Sequence, residues 1–226
     1  MRRHRGFPHW IRVAAGLDAG EAVTVDVESG AEPPSHDGFA GVIVTGSGAM
    51  VTDRLPWSER TAAWLGGAAR AGVPVLGICY GHQLLAHALG GEVGDNPAGR
   101  EMGTVELEAV APAAAADALF ASLPARFPAQ ATHLQSVLRM PDGATLLASS
   151  AGDACHAFRW GAAAWGVQFH PEFSTTHMRG YIRARRDALS REGRDPAGMA
   201  AAVTATPHAR RVLRRFVHHA RALRGG

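Results

Sequence analysis

A chain of 226 residues, 46% of them hydrophobic, can bury a substantial core and is expected to form one domain over residues 1–226. No stretch approaches the ~18 uninterrupted apolar residues of a membrane span, and two cysteines, Cys79 and Cys155, are too few for a disulfide scaffold, so a reducing cytoplasm is the expected setting. The net charge of +3 rests on 23 basic residues, every one an arginine, which together with the abundant alanine fits genomic base composition better than selection for a polyanion.

In chain order, residues 1–5 are basic but have no hydrophobic segment behind them, so they do not form an export signal. Residues 10–17 read as a short helix, 22–27 alternate like a strand, and 29–38, rich in Pro, Gly and Ser, read as a loop. Strand patterns recur at 42–45, 74–78, 104–108 and 165–169, with a short pair near 145–149 and 155–159. Helices are expected at 57–71, 82–89 and 113–121, with two more after Thr175. The alternation predicts an α/β three-layer sandwich, its central sheet largely parallel, with a site at the carboxyl ends of the strands. No internal repeat or linker stands out.

The run Val75-Leu76-Gly77-Ile78-Cys79-Tyr80-Gly81-His82-Gln83 places one cysteine between two glycines where a strand turns into a helix. That is the layout of a nucleophile elbow, with an apolar helix behind it that ends at Gly90-Gly91. The amide hydrogens and positive dipole end of that helix point at the sulfur, which raises its nucleophilicity. Taken alone, a buried structural cysteine fits the pattern as well.

A second constellation is Gln168-Phe169-His170-Pro171-Glu172, a strand ending in a polar triplet. A catalytic cysteine needs a base to take its proton and a third group to orient that base, and His170 and Glu172 suit both roles. The Pro-Cys-x-x-Cys ligand pair that a zinc deaminase would need beside a His-x-Glu spacing is missing from the sequence.

These residues resemble the class I glutamine amidotransferases, in particular stand-alone proteins similar to the amidotransferase part of GMP synthase. The matching pieces are Gly41–Gly48, Gly77–Gln83, Thr132–Val137 and Gln168–Glu172. The resemblance implies a flavodoxin-like fold, Cys79 as nucleophile, His170 as base and Glu172 as its orienting carboxylate, acting on the side-chain amide of glutamine. It also implies an oxyanion hole from the amides of Ser47 and Tyr80, and substrate contacts at Gly46, Gln83 and the backbone around His133. No cofactor or metal is expected. The family turn Gly-Gly-Pro reads Gly46-Ser47-Gly48 here, which leaves the Ser47 amide in place.

Two departures bear on function. The strand that normally opens this fold is missing from the pattern, since residues 1–6 are too short and too charged for a buried strand, and a late start of the chain is the expectation they raise. The Ser-Gly-Gly-x-Asp-Ser loop of an ATP-pyrophosphatase domain is also missing, so a synthetase receiving the ammonia is expected on a separate polypeptide. The same triad would serve a γ-glutamyl hydrolase acting on γ-glutamyl conjugates, and an inert binding protein of the same fold is the non-catalytic alternative. Residues 179–226 hold 12 arginines, but Val212, Leu213 and Phe216 share one helical face with arginines opposite. A solvated amphipathic helix accounts for them without nucleic acid or membrane.

Overall fold

The computed structural model describes residues 6–225. The expectations placed on residues 1–5 lie outside them. The first helix, α1 (Phe7–Ala15), has Gly6 as N-cap, Pro8 in its first turn and Gly16 as a left-handed C-cap at φ 74°. The alternating run at 22–27 forms no strand, and Val23 is 72% exposed. A period-2 pattern needs a neighbouring ladder to become a strand, and among the described residues none lies beside it.

The main sheet begins with β1 (Val42–Val44), then β2 (Val75–Ile78) after helix α2 (Pro56–Arg70). Helix α3 (Tyr80–Ala88) leads to β3 (Glu92–Asp95), β4 (Glu101–Ala109) and the single turn α4 (Ala113–Ala116). Strands β5 (Arg126–His133), β6 (Gln135–Arg139), β7 (Ala144–Ser149), β8 (Ala157–Trp160) and β9 (Ala164–Val167) complete the β structure. Seven strands pair in the order β1-β2-β9-β8-β7-β4-β5, while β3 and β6 form a separate antiparallel ribbon. The parallel part is β1-β2-β9, and from β9 outward the pairing alternates in direction through β8, β7, β4 and β5. The parallel strands deliver the site; the antiparallel ones extend the sheet.

Strand periodicity assigns the two faces. Leu76 and Ile78 of β2 and Trp165 and Val167 of β9 point toward α1 and α8 (Pro207–Gly225), where Ile11, Val212, Leu213 and Phe216 meet them. Val75 and Ala164 point the other way, onto Leu65, Leu84 and Leu85 of α2 and α3. Helices therefore cover both faces, giving the α/β sandwich expected from the sequence. A third apolar cluster, with Met102, Phe173, Met178 and Ile182 at its centre, packs α5 (Thr175–Ala184), α6 (Arg186–Arg191) and α7 (Pro196–Ala201) beside α1.

The helix expected over 113–121 stops after one turn because the Asp117 carboxylate accepts the amides of Leu119 and Phe120 at 2.8 and 3.2 Å, offering the backbone an alternative to helix. After Thr175 there are four helices instead of two, divided at Arg185, at Gly193 with φ 74°, and before Pro196 and Pro207. The arginines of α8 do what the amphipathic reading requires. Its apolar face is buried, and Arg214 and Arg215 donate to the carbonyls of Ala14 and Ala118 at 3.1 and 2.9 Å.

Candidate active site

Cys79 ends β2 and immediately precedes α3, with φ 53° and ψ −104°. That left-handed backbone is costly for a residue with a side chain, about 1–3 kcal/mol, and persists only where surrounding contacts fix it. Here they do: the Cys79 amide donates to Val167 of β9 at 2.9 Å and its carbonyl accepts the Gln83 amide at 3.1 Å. Two glycines make the turn possible. A Cβ on Gly81 would overlap the Val44 carbonyl, and one on Gly77 would overlap the Gly81 carbonyl.

His170 follows β9 and is anchored by its amide to the Gln130 carbonyl at 2.8 Å. Its Nδ1 lies 2.7 Å from Glu172 Oε1, and both side chains are buried. Burial alone would depress the His170 pKa, but the neighbouring Glu172 carboxylate and Cys79 thiol outweigh it and push the value up to about 10. The buried Nε2 has no nitrogen or oxygen partner among the described residues. Phe173 stacks on the imidazole at 4.1 Å, and Phe7 of α1 lies nearly parallel beside both rings, 5.9 Å from the imidazole and 6.2 Å from Phe173. Nothing in the sequence around Phe7 signals this role, which arises from tertiary packing.

The remaining predicted residues fall around this pair. Gly46 lies against His170, since a Cβ there would come 3.1 Å from its Cε1. The Ser47 hydroxyl lies 2.5 Å from Glu28 and accepts the Ala49 amide at 3.0 Å, which holds the Gly46-Ser47-Gly48 turn. Tyr80 supplies the amide after the cysteine, but its ring packs tilted against Trp57 at 5.6 Å and its hydroxyl lies 2.5 Å from Ser58. Gln83 is buried, its amide donating to the Gln135 carbonyl at 2.6 Å and to Gln168 Oε1 at 2.9 Å. The backbone beside His133 reaches the site, with the Thr132 carbonyl 3.9 Å from Cys79 Sγ, whereas the His133 ring points to Glu101 Oε2 at 2.9 Å. Sequence reading missed Thr132 and Gln168 as neighbours of the site. Gln168 sits inside the matched run Gln168–Glu172, so its position was visible even though its bond to Gln83 was not.

A strained cysteine at a strand-to-helix turn, beside a buried imidazole held by a carboxylate, brings together the three kinds of group that nucleophilic catalysis uses. The glutamine amidotransferase class-I family model matches residues 19–186. The chain belongs to that family. The chain is 39% identical over 137 residues to GMP synthase [glutamine-hydrolyzing] of Aeropyrum pernix, across 61% of this chain and 25% of the relative. It is 40% identical over 139 residues to the enzyme of the same name from Thermomicrobium roseum, across 61% of this chain and 24% of the relative. The chain thus spans about a quarter of the length of the curated relatives it matches.

Solved structures show the same fold. A glutamine amidotransferase of Thermotoga maritima superposes with a TM-score of 0.76 at 22% identity, over 95% of this chain and 91% of that one. A glutamine amido transferase from Methylobacillus flagellatus gives 0.71 at 23% identity, over 95% and 90%. Among the described residues no helix is long and apolar enough to cross a membrane.

Proposed function

We propose that the chain is a single cysteine-dependent glutamine amidotransferase domain that hydrolyses glutamine to glutamate and ammonia. The observation that carries this reading is the junction of Cys79, at φ 53° on the elbow, with an imidazole whose Nδ1 is 2.7 Å from Glu172. The Cys79 thiolate attacks the side-chain carbonyl carbon of glutamine, and the carbonyl π electrons move onto oxygen. Protonated His170 then gives its proton to the leaving nitrogen as the carbon–nitrogen bond breaks and ammonia departs. Water, deprotonated by His170, attacks the γ-glutamyl thioester; glutamate leaves and the thiolate–imidazolium pair is restored. Glu172 holds the ring in the orientation that presents Nε2 to these steps.

The backbone amides of Ser47 and Tyr80 are the proposed donors to the oxyanion of both tetrahedral states, and losing one such donor typically costs about 3 kcal/mol. Gly46 gives the substrate room beside His170. The glutamine end of the pocket is assigned to Gln83 and the backbone around His133. The chemistry as written requires no cofactor. Because the matched relatives are GMP synthases about four times as long as the matched segment, a synthetase domain or subunit that consumes the ammonia is the proposed partner, and a reducing cytoplasm the proposed setting. Nucleic acid and membrane have no place in this reading.

The test is release of glutamate and ammonia from glutamine by the purified protein and by Cys79→Ala, beside a γ-glutamyl peptide. Turnover of glutamine that the substitution abolishes is expected. Cysteine-dependent cleavage of the peptide alone would reassign the protein as a γ-glutamyl hydrolase, and silence on both with a reactive Cys79 would refute unaided glutaminase activity.

A further inference from the structure

Behind the catalytic cysteine lies a second group of side chains that the proposed reaction does not use. Glu101 at the start of β4, His133 at the end of β5 and His156 just before β8 converge, with one candidate donor atom from each, all within 4.8 Å of one another. Glu101 Oε2 lies 2.9 Å from His133 Nε2 and 2.5 Å from His156 Nε2. Both histidines are buried. The other Glu101 oxygen accepts the Ser150 hydroxyl at 2.6 Å, which fixes the carboxylate. Asp153 Oδ2, buried and held by the Ser136 hydroxyl at 2.7 Å, stands 3.8 Å from His133 Nε2.

Tautomer logic makes the group informative. His133 Nδ1 lies 3.0 Å from the Gln135 carbonyl, a pure acceptor, so Nδ1 carries hydrogen. In a neutral ring Nε2 then presents a lone pair to a carboxylate oxygen, a repulsive contact unless a second proton or a metal ion lies between them. A histidine whose far nitrogen donates to a backbone carbonyl is also the usual arrangement around a bound metal. His156 lacks this support, since its buried Nδ1 has no hydrogen-bond partner among the described residues, which makes it the weaker of the two imidazole ligands. The half-buried Glu101 and buried Asp153 carboxylates, facing two buried imidazoles, form a site that a divalent cation would neutralise.

We propose that Glu101 Oε2, His133 Nε2 and His156 Nε2 bind one divalent transition-metal ion, with Asp153 or water in the fourth position. Two imidazoles and one carboxylate are a recognised zinc set. Zinc bonds of about 2.0–2.1 Å place tetrahedral ligand atoms about 3.3 Å apart, so the two gaps from Glu101 would open by less than about 1 Å, and the imidazole nitrogens, within 4.8 Å of one another, would adjust by about 1.5 Å at most. The ion would tie β4, β5 and the start of β8 together one residue from the Thr132 carbonyl beside Cys79. This departs from the metal-free expectation of the sequence, and it does not depend on the catalytic reading.

The experiment uses the full chain carrying Cys79→Ala, so that the catalytic thiol cannot hold metal, stripped with a chelator and titrated with cobalt(II) and then zinc. One equivalent of cobalt should give the intense visible bands of a tetrahedral centre without sulfur-to-cobalt charge transfer. Zinc should displace it and raise the Tm, with X-ray absorption reporting two imidazoles and no sulfur. His156→Gln and Glu101→Gln in the same background should each weaken zinc binding by at least about 100-fold. No stoichiometric binding, a thiolate spectrum, or affinity unchanged in both variants would overturn the site. If the variants fail to fold, the spectra of the Cys79→Ala protein alone decide.

Discussion

At Cys79, stability and chemistry pull in opposite directions. The residue occupies φ 53°, where glycine is favoured and any Cβ is strained. Replacing Cys79 by glycine should therefore raise stability by about 1 kcal/mol relative to Cys79→Ala, which keeps the Cβ, while both variants lose activity. Urea midpoints of the two proteins check this, and equal midpoints would show that the elbow is unstrained. His170 carries the converse dependence on pH. Its folded pKa is raised from an ordinary 6.5 to about 10, so its charged form contributes stability that is complete below about pH 6.5 and is lost as pH climbs through about 10. Glu172→Gln removes the charge that holds it up. Between pH 6.5 and 10 the unfolding free energy of the parent protein should fall more steeply than that of the variant, and parallel profiles would contradict the raised value. The same substitution should lower kcat by about 10²-fold or more through loss of imidazole orientation. Cys79, His170 and Glu172 could be picked out of the sequence because each sits in a short motif whose spacing reflects local backbone geometry. Phe7 could not be placed at the site, because a contact across most of the chain leaves no local trace, and Thr132 and Gln168 lay inside the matched runs while their contacts with Cys79 and Gln83 did not show there.

At the scale of elements, the elbow depends on α3 pressing against β1 and β2. Gly81 is the point of closest approach: a Cβ there would overlap the Val44 carbonyl and crowd the Val44 side chain. Gly81→Ala is expected to cost about 1–3 kcal/mol by overpacking and to displace the Cys79 sulfur, reducing kcat together with stability. Equilibrium urea unfolding alongside the glutaminase assay reads both. On the opposite face Leu213 of α8 is fully buried, so Leu213→Ala should cost about 2–5 kcal/mol with little change in KM. Strong periodicity made α2, α3, β2, β4 and β9 visible in the sequence within a few residues. Strand β6 was missed because its residues do not alternate, and β5 because its alternation of Phe127, Ala129 and Ala131 with polar residues rests mostly on small alanines and is broken by Pro128, which argues locally against a strand. Its place in β5, which has only β4 as a neighbour in the sheet, resolves the conflict, since a strand with one partner tolerates a missing donor.

For the whole molecule, charge distribution and topology set the partners. Four of the six arginines of α8 are engaged within the chain, Arg214, Arg215 and Arg211 with the carbonyls of Ala14, Ala118 and Ser122 and Arg221 with Glu21, which holds much of the basic face against the protein's own surface. Fluorescence anisotropy with duplex DNA at physiological salt should show nothing tighter than the non-specific range of about 10⁻⁴–10⁻⁶ M. Saturable binding well below that would make the basic helix a functional surface. The α/β class and the placement of the site followed from the sequence order of strands and helices. The antiparallel half of the sheet did not, because strand direction depends on pairings that the linear pattern does not encode. The loss of strand character at 22–27 is of the same kind: local alternation was present, but the neighbour that would turn it into a strand was not.

The central claim is that Cys79 forms a γ-glutamyl thioester from glutamine. Acid quenching of the protein during glutamine turnover, followed by proteolysis and mass spectrometry, tests it directly. The peptide containing Cys79 should gain the mass of glutamine less ammonia, and Cys79→Ala protein treated in the same way should gain none. An adduct on Cys155 instead, or glutamate release that persists in the Cys79→Ala protein, would contradict the account.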